Sequence, residues 1–141
     1  MTYNIHDFGA VGYCKANDAA ALQRTIDTCH KAGGGTVLVP AGRVFMTGSF
    51  VLKAQVELHL ERGATLLASP HYADYSREHF SDAVTDGLFD ETELPKRAWI
   101  TSFRAHDAAI TGGGTLDGKA LSAEGAEGLE VIGFRGEDAH F

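Results

Sequence analysis

The sequence predicts an all-β solenoid, in which short strands coil along one axis and a single N-terminal helix covers the first coil. Three observations support this prediction. One amphipathic segment ends in a glycine run, the rest of the chain consists of short β segments separated by turns, and two such segments repeat in register fifty residues apart. We assign residues 1–141 to one domain, because this length is sufficient for one hydrophobic core.

The helix is predicted over residues 18–32. Asn17 or Asp18 can cap its start, since short polar side chains accept hydrogen bonds from the free amides of a first turn. An apolar stripe recurs on one helical face at Leu22, Ile26 and Cys29. The residues predicted to face away from this stripe are Gln23, Arg24, Asp27 and His30. The run 33–35 is all glycine and ends the helix, because glycine adopts the left-handed conformation of a C-cap.

Short β segments make up most of the remainder. The first is a strand and turn over residues 3–12, and those after the helix are 36–40, 44–47, 49–52, 56–60, 64–67, 98–103 and 109–111. Alternation of apolar and polar residues over 56–61 predicts a half-buried strand. No second amphipathic helix of comparable strength lies between the segments. This excludes a doubly wound sheet, which needs a helix in each crossover.

The segment 70–97 is a long polar insertion with only scattered apolar residues. A segment of this length without periodicity inside a compact domain is usually functional or mobile. Its acidic pairs, Ser81–Asp82 and Phe89–Glu91, are predicted to be solvated surface and not a catalytic pair.

The repeat compares residues 60–66 with residues 110–116. Leu60 matches Ile110, and the same shift of fifty matches the pairs Gly63 and Gly113, Thr65 and Thr115, and Leu66 and Leu116. Stacked coils bury equivalent side chains at equivalent positions, so a solenoid produces such an echo. Fifty residues with an insertion are expected to correspond to two coils. The alternative is a chance similarity between two glycine-containing hairpins.

Net charge and composition restrict the kinds of molecule that this protein can bind. A net charge of -7 argues against nucleic acid, whose phosphates select basic surfaces, and against an anionic membrane surface. An acidic sugar polymer stays possible if one groove is locally basic. Seventeen glycines and three prolines in an apolar-rich chain indicate many tight turns and not a disordered linker.

The N-terminal residues lack the basic and apolar regions of a secretory signal, and no apolar run reaches transmembrane length. If Met1 is the native start, we expect a cytoplasmic protein. Cys29 is predicted to be a small core residue and Cys14 to lie in a loop. A bridge between these two cysteines is possible on paper but unsupported by the sequence.

Four features invite a functional interpretation, and each has a more ordinary one. His59 has no second metal ligand at convincing spacing, so it is predicted to be a surface histidine. Trp99 can stack on sugar, but a single Trp at a strand start is more often core. Asp117 is a single carboxylate and cannot supply both an acid and a base. The glycines 112–114 precede neither the Lys-Ser/Thr nor the helix of a phosphate loop. The sequence therefore predicts no catalytic, cofactor-binding or metal-binding residue and no cofactor.

Several motifs resemble a known family. Residues 4–12, 17–27 and 33–42 resemble the opening of many right-handed parallel β-helix proteins, including pectin lyase-like proteins and phage tailspikes. Residues 47–53, 56–69 and 109–118 are similar, in order and spacing, to the N-terminal third of the polygalacturonase family of glycoside hydrolases. The chain departs from the family pattern at residues 12–15, where the family usually has an acidic residue between two small ones.

This resemblance implies a right-handed parallel β-helix and inverting hydrolysis of α-linked galacturonan or rhamnogalacturonan. It also implies a structural role for Asp117, as a turn residue that hydrogen-bonds nearby amides. The family's catalytic aspartates occur in Asn-x-Asp, Asp-Asp and Gly-His-Gly motifs on later coils, and none of these motifs occurs here. The chain is therefore interpreted as the N-terminal part of such an enzyme, inactive alone, with pectic saccharide as its partner.

Two alternatives share the same fold. One is a non-catalytic carbohydrate-binding or tailspike-like structural protein, and the other is a pectate or pectin lyase that abstracts a proton beside the uronate carboxyl. In all three cases, the coil near residues 129–134 precedes the chain end without a cap in sight. We therefore expect an exposed apolar coil face there and possible self-association.

Overall fold

The computed structural model describes residues 1–75, 97–103, 105–118, 129–135 and 139–140, with no side-chain description for Tyr72, 97–98, 103, 129–135 and 139–140. Within these ranges there is one α-helix, α1 (Ala19–Lys31), with short 3-10 turns at Ile5–Phe8 and Tyr72–Asp74. The strands are β1 (Thr2–Asn4), β2 (Tyr13–Asn17), β3 (Gly35–Val39), β4 (Val44–Thr47), β5 (Phe50–Val51), β6 (Val56–Leu60), β7 (Thr65–Ala68), β8 (Arg97–Phe103), β9 (Ala108–Thr111), β10 (Thr115–Asp117), β11 (Leu129–Arg135) and β12 (Ala139–His140).

Every strand pairs in parallel with the equivalent strand of the next coil. Sheet A has the order β1-β3-β6-β9-β12, sheet B has the order β10-β7-β4-β2, and sheet C has the order β11-β8-β5. Successive strands along the chain thus pass from sheet A to sheet B to sheet C and return one level further on. This is the coiled all-β solenoid that the sequence predicts.

The helix occupies the place of a third strand in the first coil. Its apolar stripe is fully buried at Leu22, Ile26 and Cys29, as predicted, and Ala21 and Thr25 join them in the core. At its C-terminal end, the amide of Gly34 donates to the Cys29 carbonyl at 2.9 Å, with Gly34 in the left-handed region at φ 110°. Of the two predicted N-terminal caps, Asn17 accepts a hydrogen bond from the first helical amide, that of Ala19, at 3.0 Å, whereas the prediction for Asp18 needs correction. The Asp18 carboxylate makes no cap bond with the helix and instead accepts from the amides of Val11 and Gly12, both at 3.1 Å.

The regular coil is 21 residues long. Gly35 pairs with Val56 in sheet A, and Val44 pairs with Thr65 in sheet B. In the following coil, Thr65 pairs with Thr115, a separation of 50 residues. This coil is therefore 29 residues longer than the regular one. The extra residues lie between the end of β7 at Ala68 and the start of β8 at Arg97. This is the position of the predicted polar insertion, of which residues 76–96 lie outside the described part.

The predicted repeat of residues 60–66 at 110–116 is confirmed in sheet B and corrected in sheet A. Thr115 and Leu116 stack on Thr65 and Leu66, as the sequence match requires. Ile110, however, pairs with Leu58 and not with Leu60. From Ile110 to Thr115 there are five positions, whereas from Leu58 to Thr65, their partners in the preceding coil, there are seven. The interpretation of fifty residues as two coils is wrong, since β6 and β9 are direct neighbours. The insertion makes a single coil that long.

Inward-facing side chains of the three sheets form one core. Its largest fully buried members include Trp99, Phe45, Phe50, Leu58 and Leu66. The indole Nε1 of Trp99 donates to the Thr47 hydroxyl at 3.0 Å, so its polar atom is paired inside the core. The prediction that Trp99 is a core residue is confirmed.

Candidate functional site

Polar side chains on the outer face of sheet A form the candidate site. Strand β6 buries Val56, Leu58 and Leu60, so its intervening residues Glu57 and His59 point outward. Strand β9 stacks on β6 with Thr111 level with His59. The parallel register therefore places three polar side chains from two coils on one surface, and we call Glu57, His59 and Thr111 the sheet A cluster.

The hydrogen bonds of the sheet A cluster fix the position of a proton. The Thr111 hydroxyl donates to Glu57 Oε2 at 2.6 Å, and His59 Nδ1 lies 2.8 Å from the same hydroxyl oxygen. A hydroxyl has one proton, and here it is already donated, so Nδ1 must carry the hydrogen of its bond to Thr111. The neutral imidazole consequently presents Nε2 as an acceptor. The side chain of His59 is 37% exposed, and no hydrogen bond in the described part of the chain uses Nε2.

The sheet A cluster suits binding better than glycosidic bond cleavage by itself. Its outward acceptors, Nε2 of His59 and the carboxylate of Glu57, can receive hydrogen bonds from sugar hydroxyls. Inverting hydrolysis needs two carboxyl groups roughly 6.5–9.5 Å apart, one as acid and one as base. The cluster supplies one. The nearby Glu61 accepts from the Ala41 amide at 2.9 Å and holds the adjacent corner of the coil.

Metal and cofactor chemistry finds little support in the same surface. Among the described residues, no three His, Cys, Asp or Glu side chains converge as a metal site would require. The sheet A cluster has two potential metal ligands, Glu57 and His59, and these are already bonded through Thr111.

In the described part, no helix is long and apolar enough to cross a bilayer.

The remaining residues that the sequence singled out are distributed over the molecule. Asp117 is the last residue of β10, stacked on Leu67, and is half-buried; its structural role stays a prediction. The acidic pairs at 81–82 and 89–91, and the coil face of 129–134, concern side chains outside the described part. The predicted loop at Cys14 is wrong, because this residue lies in β2, although it is exposed. Cys14 and Cys29 are both free thiols, and burial raises the pKa of Cys29.

The sequence analysis did not predict a concavity at the corner that joins sheets A and B. Residues 12–14 and 42–44 and Gly63 line it, and its volume is about 630 Å³. Tyr13 is 63% exposed there, and the guanidinium carbon of Arg43 lies 4.8 Å from the centre of its ring. The aromatic residue was visible in the sequence. Its neighbour Arg43, thirty positions away, was not, because the pairing of β2 with β4 brings them together.

Comparison with solved structures identifies the class of fold to which this chain belongs. No protein-family model matches the chain. The chain superimposes on an exopolygalacturonase of Thermotoga maritima with a TM-score of 0.66 and 29% identity, over 84% of this chain and 25% of that one. A family 28 exopolygalacturonase of Yersinia enterocolitica gives a TM-score of 0.67 and 28% identity, over 84% and 21%. The chain is a right-handed parallel β-helix of the pectin lyase-like class.

Curated sequences narrow the class. The chain is 44% identical over 72 residues to an exo-poly-alpha-D-galacturonosidase of Dickeya chrysanthemi, and 52% identical over 48 residues to alginate lyase 7 of Azotobacter vinelandii. These matches cover 51% and 34% of this chain, but only 12% and 6% of the relatives. Its relatives are thus polygalacturonases and related carbohydrate-active β-helix proteins, and the resemblance to the polygalacturonase family is confirmed.

Proposed function

We propose that this chain is the N-terminal part of a glycoside hydrolase that cleaves α-linked galacturonan or pectic oligosaccharides with inversion. The observation that carries the proposal is the 44% identity over 72 residues to an exo-poly-alpha-D-galacturonosidase. The stacked parallel coils and the likeness to two exopolygalacturonase structures support it. The catalytic carboxylates would lie on coils beyond this chain, which spans 12% of that relative.

In this proposal, the described coils begin the surface on which the polymer lies. The outer face of sheet A is continuous from β1 to β12, and the sheet A cluster spans two of its levels. A saccharide that crosses these levels would meet the His59 Nε2 acceptor and the Glu57 carboxylate. Hydroxyl groups of the sugar are suitable donors for both. The cluster would then orient the chain, while the reaction occurs further along the solenoid.

A second candidate is a lyase or epimerase of uronate polymers. It is favoured by the 52% identity over 48 residues to alginate lyase 7 and the 50–52% identities over the same length to mannuronan C5-epimerases. Both reactions begin with removal of the proton beside the uronate carboxyl, which needs a base and not a second carboxylic acid. One of these epimerases, AlgE4, matches over 99% of this chain, but at 27% identity. We rank this candidate second because the two exopolygalacturonase structures give higher TM-scores and identities than the epimerase modules.

Product analysis separates the candidates. The protein as its gene encodes it is incubated with polygalacturonate and, in parallel, with polymannuronate. Hydrolysis creates reducing ends without ultraviolet absorbance, a lyase creates reducing ends together with an absorbing C4–C5 double bond, and an epimerase creates no ends. Inversion is tested by proton NMR of the first product, whose new anomeric centre must have the configuration opposite to that of the cleaved bond. We expect hydrolysis of polygalacturonate with inversion.

The control for this experiment is the 141-residue chain without downstream sequence, which we expect to be inactive on both polymers. Absorbing products from either polymer would transfer the assignment to the lyase. Reducing ends released by the 141-residue chain alone would contradict the placement of the catalytic carboxylates on later coils.

A further inference from the structure

We propose that the concavity between sheets A and B, built around Tyr13 and Arg43, is a separate binding subsite for a uronate residue of an acidic polysaccharide. We call it the corner subsite. It lies outside the sheet A cluster, and no role in the proposed hydrolysis has been given to it. The choice of a uronate as ligand rests on the proposed function, whereas the existence of an anion-binding pocket rests on the geometry alone.

The first argument is the unpaired charge of Arg43. Its Nη1 donates to the Val11 carbonyl at 2.7 Å, which leaves the other N–H groups of the guanidinium available. Arg43 forms no ion pair within the described part of the chain. The guanidinium fork matches the two oxygens of a carboxylate, so a uronate carboxylate is a suitable partner. The chain as a whole has a net charge of -7, so a cation without an ion pair among the described residues is a suitable site for an anion.

The second argument is the position of the Tyr13 ring. The Arg43 guanidinium covers one face of this ring, yet Tyr13 is still 63% exposed, so the opposite face and edge are open to solvent. An exposed aromatic face is where the C–H groups of a pyranose pack favourably. Stacking also holds Arg43 in place, which lowers the entropy lost when a ligand binds. A sugar unit packed at the exposed edge of the ring, beside the guanidinium, can thus contact Tyr13 with its carbon skeleton and Arg43 with its carboxylate.

The third argument is the shape of the pocket. Gly12 is buried at φ 73°, and a Cβ on it would lie 2.9 Å from the Arg43 side chain and 2.7 Å from the Phe45 ring. Glycine at this position therefore allows the Arg43 stem to pack against the turn. Gly42 and Gly63 keep the opposite wall free of side chains. The concavity has a volume of about 630 Å³ and is wide open to solvent, so a ligand would lie on it and would not be enclosed.

Two carboxylates near the corner subsite would repel a bound anion, so their charges must be considered. Asp18 lies behind the turn but is only 5% exposed, and it accepts bonds from the amides of Val11 and Gly12, which balance its charge. Glu61 is exposed and already bonded to the Ala41 amide. Lys15, which follows Cys14 in the chain, and Arg62, which precedes Gly63, are both exposed. Of the five charged residues in or next to this corner in the sequence, three are cations and two are carboxylates that are already hydrogen-bonded.

The chain carries its own reporter for this subsite. Cys14 lines the pocket and is an exposed free thiol, whereas Cys29 is free and fully buried in the core. The rate of Cys14 alkylation by iodoacetamide is measured by mass spectrometry with and without a short galacturonate oligomer, with Cys29 as the internal control for unfolding. We expect the oligomer to slow Cys14 alkylation saturably. A neutral galactose oligomer of equal length should not protect it.

Variants locate the interaction. We expect Arg43→Ala to weaken the protection constant about tenfold or more, since it removes a charge-assisted bidentate contact. Tyr13→Ala should weaken it by a smaller factor, and Tyr13→Phe should leave it near the wild-type value. Lys31→Ala removes an exposed cation at the end of α1 and is the matched control without effect. Arg43→Lys keeps the charge and the fold but loses the fork, so it should also bind several-fold more weakly.

The outcomes distinguish this subsite from the proposed hydrolase. Saturable protection with no hydrolysis of polygalacturonate supports the corner subsite and removes the proposed function. Hydrolysis without protection of Cys14 overturns the subsite and leaves the function. Equal protection by charged and neutral oligomers, or protection that survives both Arg43 variants, also overturns the subsite, because its selectivity depends on that guanidinium.

Discussion

The side-chain amide of Gln23 forms two hydrogen bonds with the backbone of Val51. Its nitrogen donates to the Val51 carbonyl at 3.1 Å, and its oxygen accepts from the Val51 amide at 2.8 Å. Val51 belongs to β5, the strand at the N-terminal edge of sheet C. An unpaired strand edge exposes donors and acceptors that can recruit another chain. Gln23 thus lets helix α1 satisfy this edge, as a neighbouring strand would.

The first prediction concerns this pairing. We expect Gln23→Ala to lower the free energy of unfolding by about 1–3 kcal/mol, because the half-buried amide and carbonyl of Val51 lose their partners. Gln23→Met keeps most of the volume without the bonds and should cost nearly as much. Urea denaturation followed by circular dichroism measures both. Equal stability of the wild type and the Met variant would show that the side chain contributes only by packing.

The second prediction concerns the proton position in the sheet A cluster. In the neutral state of the ring, we expect the nitrogen NMR shifts of His59 to report hydrogen on Nδ1. Thr111→Val removes the hydroxyl between His59 and Glu57 and should abolish this preference. Thr115→Val, in sheet B and stacked on Thr65, is the matched control. Hydrogen on Nε2 in the wild type would refute the assignment.

The third prediction compares two left-handed glycines. Gly33 and Gly112 have nearly equal φ values of 96° and 101°, so alanine should cost about 1–2 kcal/mol at each for backbone conformation. A Cβ on Gly33 meets nothing within 4 Å, whereas a Cβ on Gly112 would clash with the Leu60 carbonyl oxygen. We therefore expect Gly112→Ala to lose about 1–3 kcal/mol more than Gly33→Ala in thermal unfolding. Similar losses would mean that the turn between β9 and β10 can yield.

The fourth prediction is a loss of stability at high pH. Burial, aided by the nearby charge of Asp74, raises the pKa of Tyr75 to about 12, and its hydroxyl donates to the Ser69 carbonyl at 2.6 Å. The folded state thus favours the neutral phenol. This contribution is fully present below the ordinary tyrosine pKa of about 10 and is lost as the pH rises towards 12.

Urea unfolding at intervals between about pH 9 and about pH 12 tests this dependence. Tyr75→Phe should be less stable at the lower pH, since it lacks the bond to Ser69, but should show a shallower decline. Tyr13→Phe, at an exposed ring, should keep the wild-type slope. Parallel declines for all three proteins would exclude Tyr75 as the cause.

Local sequence patterns were sufficient to predict the helix and the strands. The helix is observed at Ala19–Lys31 against 18–32, and the strand at Val44–Thr47 has the predicted bounds. The alternation along Val56–Leu60 correctly placed Glu57 and His59 on the outer face. The predicted outward position of Gln23 was only partly right, because this polar side chain bonds to a strand 28 residues away. A polar residue beside an apolar stripe carries no sign of a distant backbone partner.

The sequence by itself determined that this chain is a solenoid, where its helix ends, and which faces of its strands are buried. These follow from the period of apolar side chains and from the conformations open to glycine. Only the tertiary structure decided that fifty residues make one coil, that Ile110 stacks on Leu58, and that Arg43 reaches Tyr13. The physical reason is that parallel stacking aligns strands by their hydrogen bonds, while turns of unequal length change the sequence offset from one sheet to the next.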